Sequence, residues 1–430
     1  MLKYFKQDLL NLSIKKCLFI LLFILIINYI FFNYRILIRQ NPYIAADWLI
    51  NYSGGFIRRG FIGQIIFFFS KNFNISVIFL TFVISSSFFI LFICLFYQCL
   101  KNNINSKILI IYLLLPSTLL FTFFDPLAVG RKDSIILFFV TLYTYFLINN
   151  KINDNFIRLL LIITAVCLTL THELVFFFIP YILSIKYLYL NNISSLKVKN
   201  FFFEIILLVF SFICILLIFF FSHKHNNQIL CESLLSLKLD KNICSGTIRD
   251  YKEAQSFNIL LNYFKEFNYY NVYGLSLFLN FLPIIFSFIC IKKTERSRSD
   301  VLKYINISFL CFVFTVPVFL FVNDWGRYFN IHFLFHALLF SFFLKYNNFN
   351  FKMYFQKYYV IKKILIPIIL LLYLTSWSMP HCCQKKIQHG IYYFFYRLEY
   401  RLYDNSLETT KYGIDVPRLI LKKLLNINQN

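Results

Sequence analysis

The sequence predicts an all-α fold, a polytopic integral membrane protein with about eleven transmembrane helices and an outward-facing polar cavity. Three observations carry this. Of the 430 residues, 59% are hydrophobic, 14% are charged and 58 are Phe, an apolar surface that a soluble domain has no way to cover. The apolar residues gather into runs close to the roughly 20 residues that a bilayer crossing needs. Lys and Arg alternate between rich and poor loops along the chain, the asymmetry that orients membrane helices.

Residues 17–33 follow Lys3, Lys6, Lys15 and Lys16, as in a signal sequence, but Asn33-Tyr34-Arg35 stands where small residues at a cleavage site belong. The run therefore reads as an uncleaved first span. Further spans are expected near 75–98, 108–124, 135–149, 157–171, 174–190, 201–222, 274–291, 305–322, 329–344 and 361–377. Runs 135–149 and 157–171 are short for a full crossing, which is tolerated where a helix lines a protein interior. Loops after even-numbered spans are basic, with Lys101, Lys151, Lys186, Lys292 and Lys352 among their cations. Odd-numbered spans thus lead outward and the N-terminus is cytoplasmic. An odd span count puts the basic tail after Trp377 outside. Glu204, at the inner start of the seventh span, reads as a partner for the helix dipole.

The transmembrane domain covers 1–377, with longer outward segments at 34–74 and 223–273 and a membrane-surface tail at 378–430. Segment 34–74 holds an apolar stretch from Phe56 to Phe69 that suits an interfacial helix. Segment 223–273 has the polarity of a lid. It carries Cys231 and Cys244, which form a disulfide if the loop lies outside. The remaining cysteines have no zinc spacing. The formal charge of +24 is spread over short loops without a basic domain, so membrane lipid and not nucleic acid is the expected partner.

Polar chemistry concentrates in loops after odd-numbered spans. Gly54, Gly55, Gly60 and Gly63, four of ten glycines, share one window with Arg58 and Arg59. Glycine permits positive φ and close backbone approach. The window is either a tight turn opening a helix, whose amides and guanidinium groups hold a phosphate, or an interfacial helix whose arginines reach lipid headgroups. Asp47, just before it, is either a general base or an N-cap. In the Asp125 to Asp133 loop, capping accounts for Asp125 and Asp133. Arg131 and Lys132 favour an anion site, being cations on the side where they are scarce. His172-Glu173 is an acid–base pair, a holder of a sugar hydroxyl, or a solvated turn. Phe176 stands where a zinc protease needs a second His. Asp324-Trp325-Gly326-Arg327 suits stacking on a sugar ring with hydrogen bonds to its hydroxyls, or else a Trp anchor with a weak ion pair. His332 and His336 share one helix face and read as packing groups.

Arginines for an anionic group, carboxylates for proton transfer and aromatics suit transfer chemistry on a lipid-pyrophosphate at the outer leaflet. An acid after the first span, an Arg-rich outward loop, a large outward loop late in the chain and about eleven spans resemble the layout of bacterial O-antigen and capsule repeat-unit polymerases (Wzy type). More widely, they resemble membrane glycosyltransferases of the GT-C class. The resemblance implies polymerisation of undecaprenyl-pyrophosphate-linked oligosaccharides, with Asp47, His172 and Glu173 as candidate catalytic residues. Arg58, Arg59, Arg131, Lys132, Asp133, Asp324, Trp325 and Arg327 would bind substrate. A chain-length regulator is an expected partner. Asp47 matches the position of the acid in the first outward loop of GT-C enzymes, but the paired acids that many carry there are absent. No metal or cofactor is therefore implied. The nearest alternatives are a GT-C enzyme using a polyprenyl-phosphate sugar and a lipid-linked glycan flippase.

Overall fold

Long runs of Phe, Ile and Leu, with no water at hand, satisfy their backbone polar groups only within the segment, and that dictates helices. The computed structural model describes residues 2–101, 106–190, 198–222, 225–250, 266–289, 295–321, 324–346 and 366–382, with 387 and 390. In chain order the helices are α1 (Leu2–Ile38), α2 (Ala45–Leu49), α3 (Gly60–Phe73), α4 (Val77–Leu100), α5 (Lys107–Leu113), α6 (Phe121–Phe124), α7 (Asp133–Ile148), α8 (Asn155–Thr171), α9 (Val175–Leu190), α10 (Phe202–Phe221), α11 (Asn227–Leu235), α12 (Thr247–Asp250), α13 (Tyr269–Ile289), α14 (Glu295–Phe321), α15 (Trp325–Tyr346) and α16 (Ile366–Thr375). Among the described residues no β-strand forms. Among the described residues, six helices contain stretches long and apolar enough to cross a membrane: α1, α4, α10, α13, α14 and α15. Helices α7, α8 and α9 are apolar but shorter.

Helix α15 lies at the centre, with 94% of its apolar stretch buried against 22% for α14 and 33% for α10. Helix α9 packs against α7, α10, α14 and α15, while α4 joins α1 to α7. Phe202 and Phe219 on α10 and Phe309 and Leu310 on α14 are exposed, as befits a surface facing lipid. Lipid supplies no hydrophobic drive between helices, so close packing and interhelical hydrogen bonds replace it. Asn33 Nδ2 donates to Ser85 Oγ at 2.7 Å and Ser86 Oγ at 3.0 Å, tying α1 to α4.

The third expected run, 108–124, is not one helix. It stops after α5 and resumes only as α6, with Pro116 in the gap. Thr118 Oγ1 lies within 3.0 Å of the carbonyls of Tyr112, Leu113 and Leu115. Asn330 Nδ2, from α15, donates to the carbonyls of Ser117 (2.8 Å) and Thr118 (2.7 Å). Those side chains satisfy the freed backbone, so the break is tolerated inside the bundle. Glu204 stands in the first turn of α10, as expected of a dipole partner, and has side-chain partners besides. It is fully buried, accepts from Tyr143 Oη at 2.5 Å and pairs with Lys186 Nζ at 2.7 Å. A buried charge requires such a partner, and Lys186, expected in a basic loop, lies inside α9 to supply it.

The helix expected from Phe56 begins at Gly60 and exposes Phe68, Phe69 and Phe73. Cys231 and Cys244 are disulfide-bonded. Residues 376–382 return to the end of the bundle that holds Asp125 and Gly326, since Gly326 N donates to His381 O at 3.0 Å. The expected basic loops at 291–294 and 347–365, residues 251–265 of the expected lid, and the tail beyond 390 lie outside the described residues.

Candidate functional site

One turn of helix, α2, delivers Asp47. Asn41 Oδ1 accepts from the amides of Tyr43 and Ile44 at 2.9 and 3.0 Å and fixes the approach to it. Trp48 donates from Nε1 to Gly130 O at 2.6 Å, fastening α2 to the loop that carries Arg131, Lys132 and Asp133. Three of the four clustered glycines lie at close contacts that a Cβ would block. A Cβ at Gly63 would lie 1.8 Å from Ile50 O, one at Gly54 2.2 Å from Asn226 O, and one at Gly60 2.4 Å from the Tyr52 ring. Gly55 turns the chain at φ 109°. Arg59 enters α3 in the left-handed region at φ 64°, a conformation that costs a side-chain-bearing residue on the order of 1–2 kcal/mol.

Arg59 donates from Nε to both Glu173 oxygens at 3.0 Å, from Nη2 to Glu173 Oε1 at 2.7 Å and from Nη1 to Asp47 Oδ1 at 3.3 Å. Buried Lys132 donates to Arg59 O at 2.9 Å, with its Nζ 5.9 Å from the centre of the Trp48 ring. Arg327 lies between Asp133 Oδ2 (3.3 Å) and Asp324 Oδ2 (3.4 Å) and donates to Tyr328 Oη at 3.0 Å. His172 Nε2 stands 3.8 Å from Asp133 Oδ1. The four constellations thus meet at one end of the bundle. Arg131 donates to Tyr43 O at 3.3 Å. Its Nε, like Asp133 Oδ1, is buried without a hydrogen-bond partner among the described residues. Arg58 is exposed at the rim. Trp325, expected to stack on a sugar ring, is partly buried. It donates to Phe319 O at 2.9 Å and its ring packs among Tyr269, Tyr273 and Phe319.

Burial opposes every one of these charges; neighbours outweigh it at Asp47 and Glu173, and it prevails at Lys132 and His172. For Asp47 the burial cost is outweighed by Lys132 and then Arg59, which hold the carboxyl down to about 2. Glu173 is buried as well, yet Arg59 keeps it far below the usual carboxylate range. Burial pushes Lys132 down to about 8, with Asp47 opposing. Burial, then Arg59, pushes His172 down to about 3 and leaves a neutral imidazole. Its Nδ1 accepts from Leu174 N at 3.4 Å, so the ring hydrogen resides on Nε2, on the side of Asp133. In that tautomer His172 offers a donor and not a base. Asp47 and Glu173, ionised and bonded to Arg59, are weak bases too. All three expected catalytic groups thus lie within the charged network, Asp47 and Glu173 on Arg59 and His172 beside Asp133.

A second carboxylate–imidazole pair borders this network. Asp125 is fully buried; its Oδ2 accepts from His381 N at 3.0 Å and His381 Nδ1 at 2.7 Å, and its Oδ1 accepts from Leu127 N at 3.2 Å. Sequence reasoning passed over His381, which lies in the expected tail, 256 residues from its partner. Comparison with family models, with curated proteins and with solved structures gives no match to this chain.

Proposed function

We propose that the chain is a membrane glycosyltransferase of the polymerase kind, joining undecaprenyl-pyrophosphate-linked oligosaccharide units at the outward face of a bacterial inner membrane. One observation carries the proposal. Asp47, Arg59, Lys132, Asp133, Glu173, Asp324 and Arg327 come from four separate segments and meet at one end of a largely apolar bundle. Holding charge beside a membrane interior is costly, so such a cluster favours a charged, hydroxyl-rich substrate over a scaffold role. The Cys231–Cys244 bond supports an oxidising, outward location for this end.

Departure of a lipid pyrophosphate from an anomeric carbon develops negative charge, which preset cations stabilise. Arg131, whose Nε lacks a partner among the described residues, and rim-exposed Arg58 meet the pyrophosphate. Arg59, committed to Asp47 and Glu173, sets the geometry around them. A chain-length regulator acts with the enzyme on the growing glycan.

The test is polymerisation of purified undecaprenyl-pyrophosphate-linked repeat units by the full chain in nanodiscs. The wild type yields a polymer ladder. Arg58→Ala and Arg131→Ala each lower turnover about 100-fold or more while eluting and melting as folded protein. Full ladders from both variants, or none from the wild type, sink the proposal. Incorporation from a polyprenyl-phosphate sugar alone would instead favour transfer of single sugars.

A further inference from the structure

Resting on that reading, the geometry points to His381 as the proton acceptor of the transfer and to Asp125 as the group that positions it. A carboxylate bonded to Nδ1 fixes the ring hydrogen there and leaves a lone pair on Nε2. That bond is 2.7 Å long, and the backbone amide of His381 reaches the same carboxylate oxygen at 3.0 Å. Asp125 is fully buried, whereas the His381 side chain keeps 14% of its surface open. No described residue places a hydrogen-bonding atom on Nε2. His172 shows the opposite arrangement, with Nδ1 occupied by the Leu174 amide and the hydrogen on Nε2. The two histidines therefore present opposite faces of the same chemistry, one a donor and the other an acceptor.

The backbone brings this imidazole to the charged network. His381 O accepts from Gly326 N at 3.0 Å, one residue from Arg327. Tyr273 Oη donates toward the carbonyls of Pro380 and His381 at 3.4 Å. Gly326 permits the approach, because a Cβ there would lie 1.9 Å from Pro380 O and 2.9 Å from His381 Cα. The segment is thus docked on the start of α15, which carries Arg327 and through it Asp133 and Asp324.

The step balances. The acceptor sugar's hydroxyl oxygen attacks the anomeric carbon of the donor, and its proton passes to Nε2 of His381. The anomeric carbon–oxygen bond breaks, and its electron pair leaves with the lipid pyrophosphate. The imidazolium is stabilised by Asp125 and returns its proton to water as product departs.

The full chain in nanodiscs, supplied with undecaprenyl-pyrophosphate-linked repeat units, tests this. His381→Asn keeps a side-chain N–H for Asp125 and removes Nε2. Its kcat is expected to fall about 100-fold or more with KM little changed. His381→Gly shows the same loss, and added imidazole restores turnover. Asp125→Asn lowers kcat by releasing the tautomer. Wild-type kcat in His381→Asn, or a loss in folded His381→Gly that imidazole does not restore, overturns the assignment and leaves the polymerase reading standing. If the His381 variants do not fold, Asp125→Asn decides, and an unchanged kcat there also overturns it. No polymer from the wild type overturns the reading beneath, and this assignment with it.

Discussion

His172 shows how burial turns an ionisable side chain into a neutral donor. Unfolded, it takes up a proton near pH 6.5; folded, not until about 3. Between those values the unfolded chain binds the extra proton, so stability falls as pH drops through that window. Asp47 and Glu173 act with the same sign lower down. Their folded values lie below the unfolded 3.8 and 4.5, so the stability they lend is present above those values and lost as pH falls below them. In His172→Gln the decline of stability between pH 6.5 and 4.5 is therefore shallower, by up to about 1.4 kcal/mol per pH unit, as read by thermal unfolding in detergent. An unchanged slope contradicts the neutral form. Most of the charged residues of the site were legible in the sequence, because a membrane makes each out-of-place charge conspicuous. His381 was not, since a histidine in an aqueous-looking tail carries no such cost, and only the fold sets it on Asp125.

At the scale of elements, the seam between α2 and α3 decides where Arg59 goes. Gly63 faces Ile50 O with no room for a methyl group, and both sides of that contact are backbone. Gly63→Ala is expected to push α3 away and to cost about 1–3 kcal/mol. It also loosens the bonds from Arg59 to Asp47 and Glu173, so activity falls further than stability alone predicts. Thermal melting and turnover of the same preparation check this, and wild-type values for both would contradict it. The sequence marked this window by its glycines but left their purpose open. Periodicity identifies a helix, whereas close backbone approach depends on what lies opposite. The gap between α5 and α6 was hidden for the same reason, because Asn330, which satisfies its carbonyls, lies more than 200 residues away.

For the whole molecule, hydropathy revealed the helical membrane class directly and the arrangement of helices only inversely. The most apolar stretch, in α10 with mean hydropathy 3.0, lies at the periphery; the least, in α15 at 1.2, lies at the centre. A helix surrounded by protein needs less grease than one that meets lipid, and Asn330, His332 and His336 are buried in α15 accordingly. The proposed orientation has its own check. In intact cells a membrane-impermeant thiol reagent labels Ser53→Cys, near the charged cluster, but labels Lys151→Cys, at the far end of α7, only after permeabilisation. The reverse pattern inverts the topology.

The docking of His381 on Gly326 and Asp125 also has a temporal meaning. Asp47 leaves the ribosome long before residue 381, so the helices of the bundle are made before the segment that carries His381. The pairing of His381 with Asp125, 256 residues apart, is therefore among the last of the described contacts to form, and a chain truncated before residue 381 leaves the buried Asp125 carboxylate without its imidazole partner.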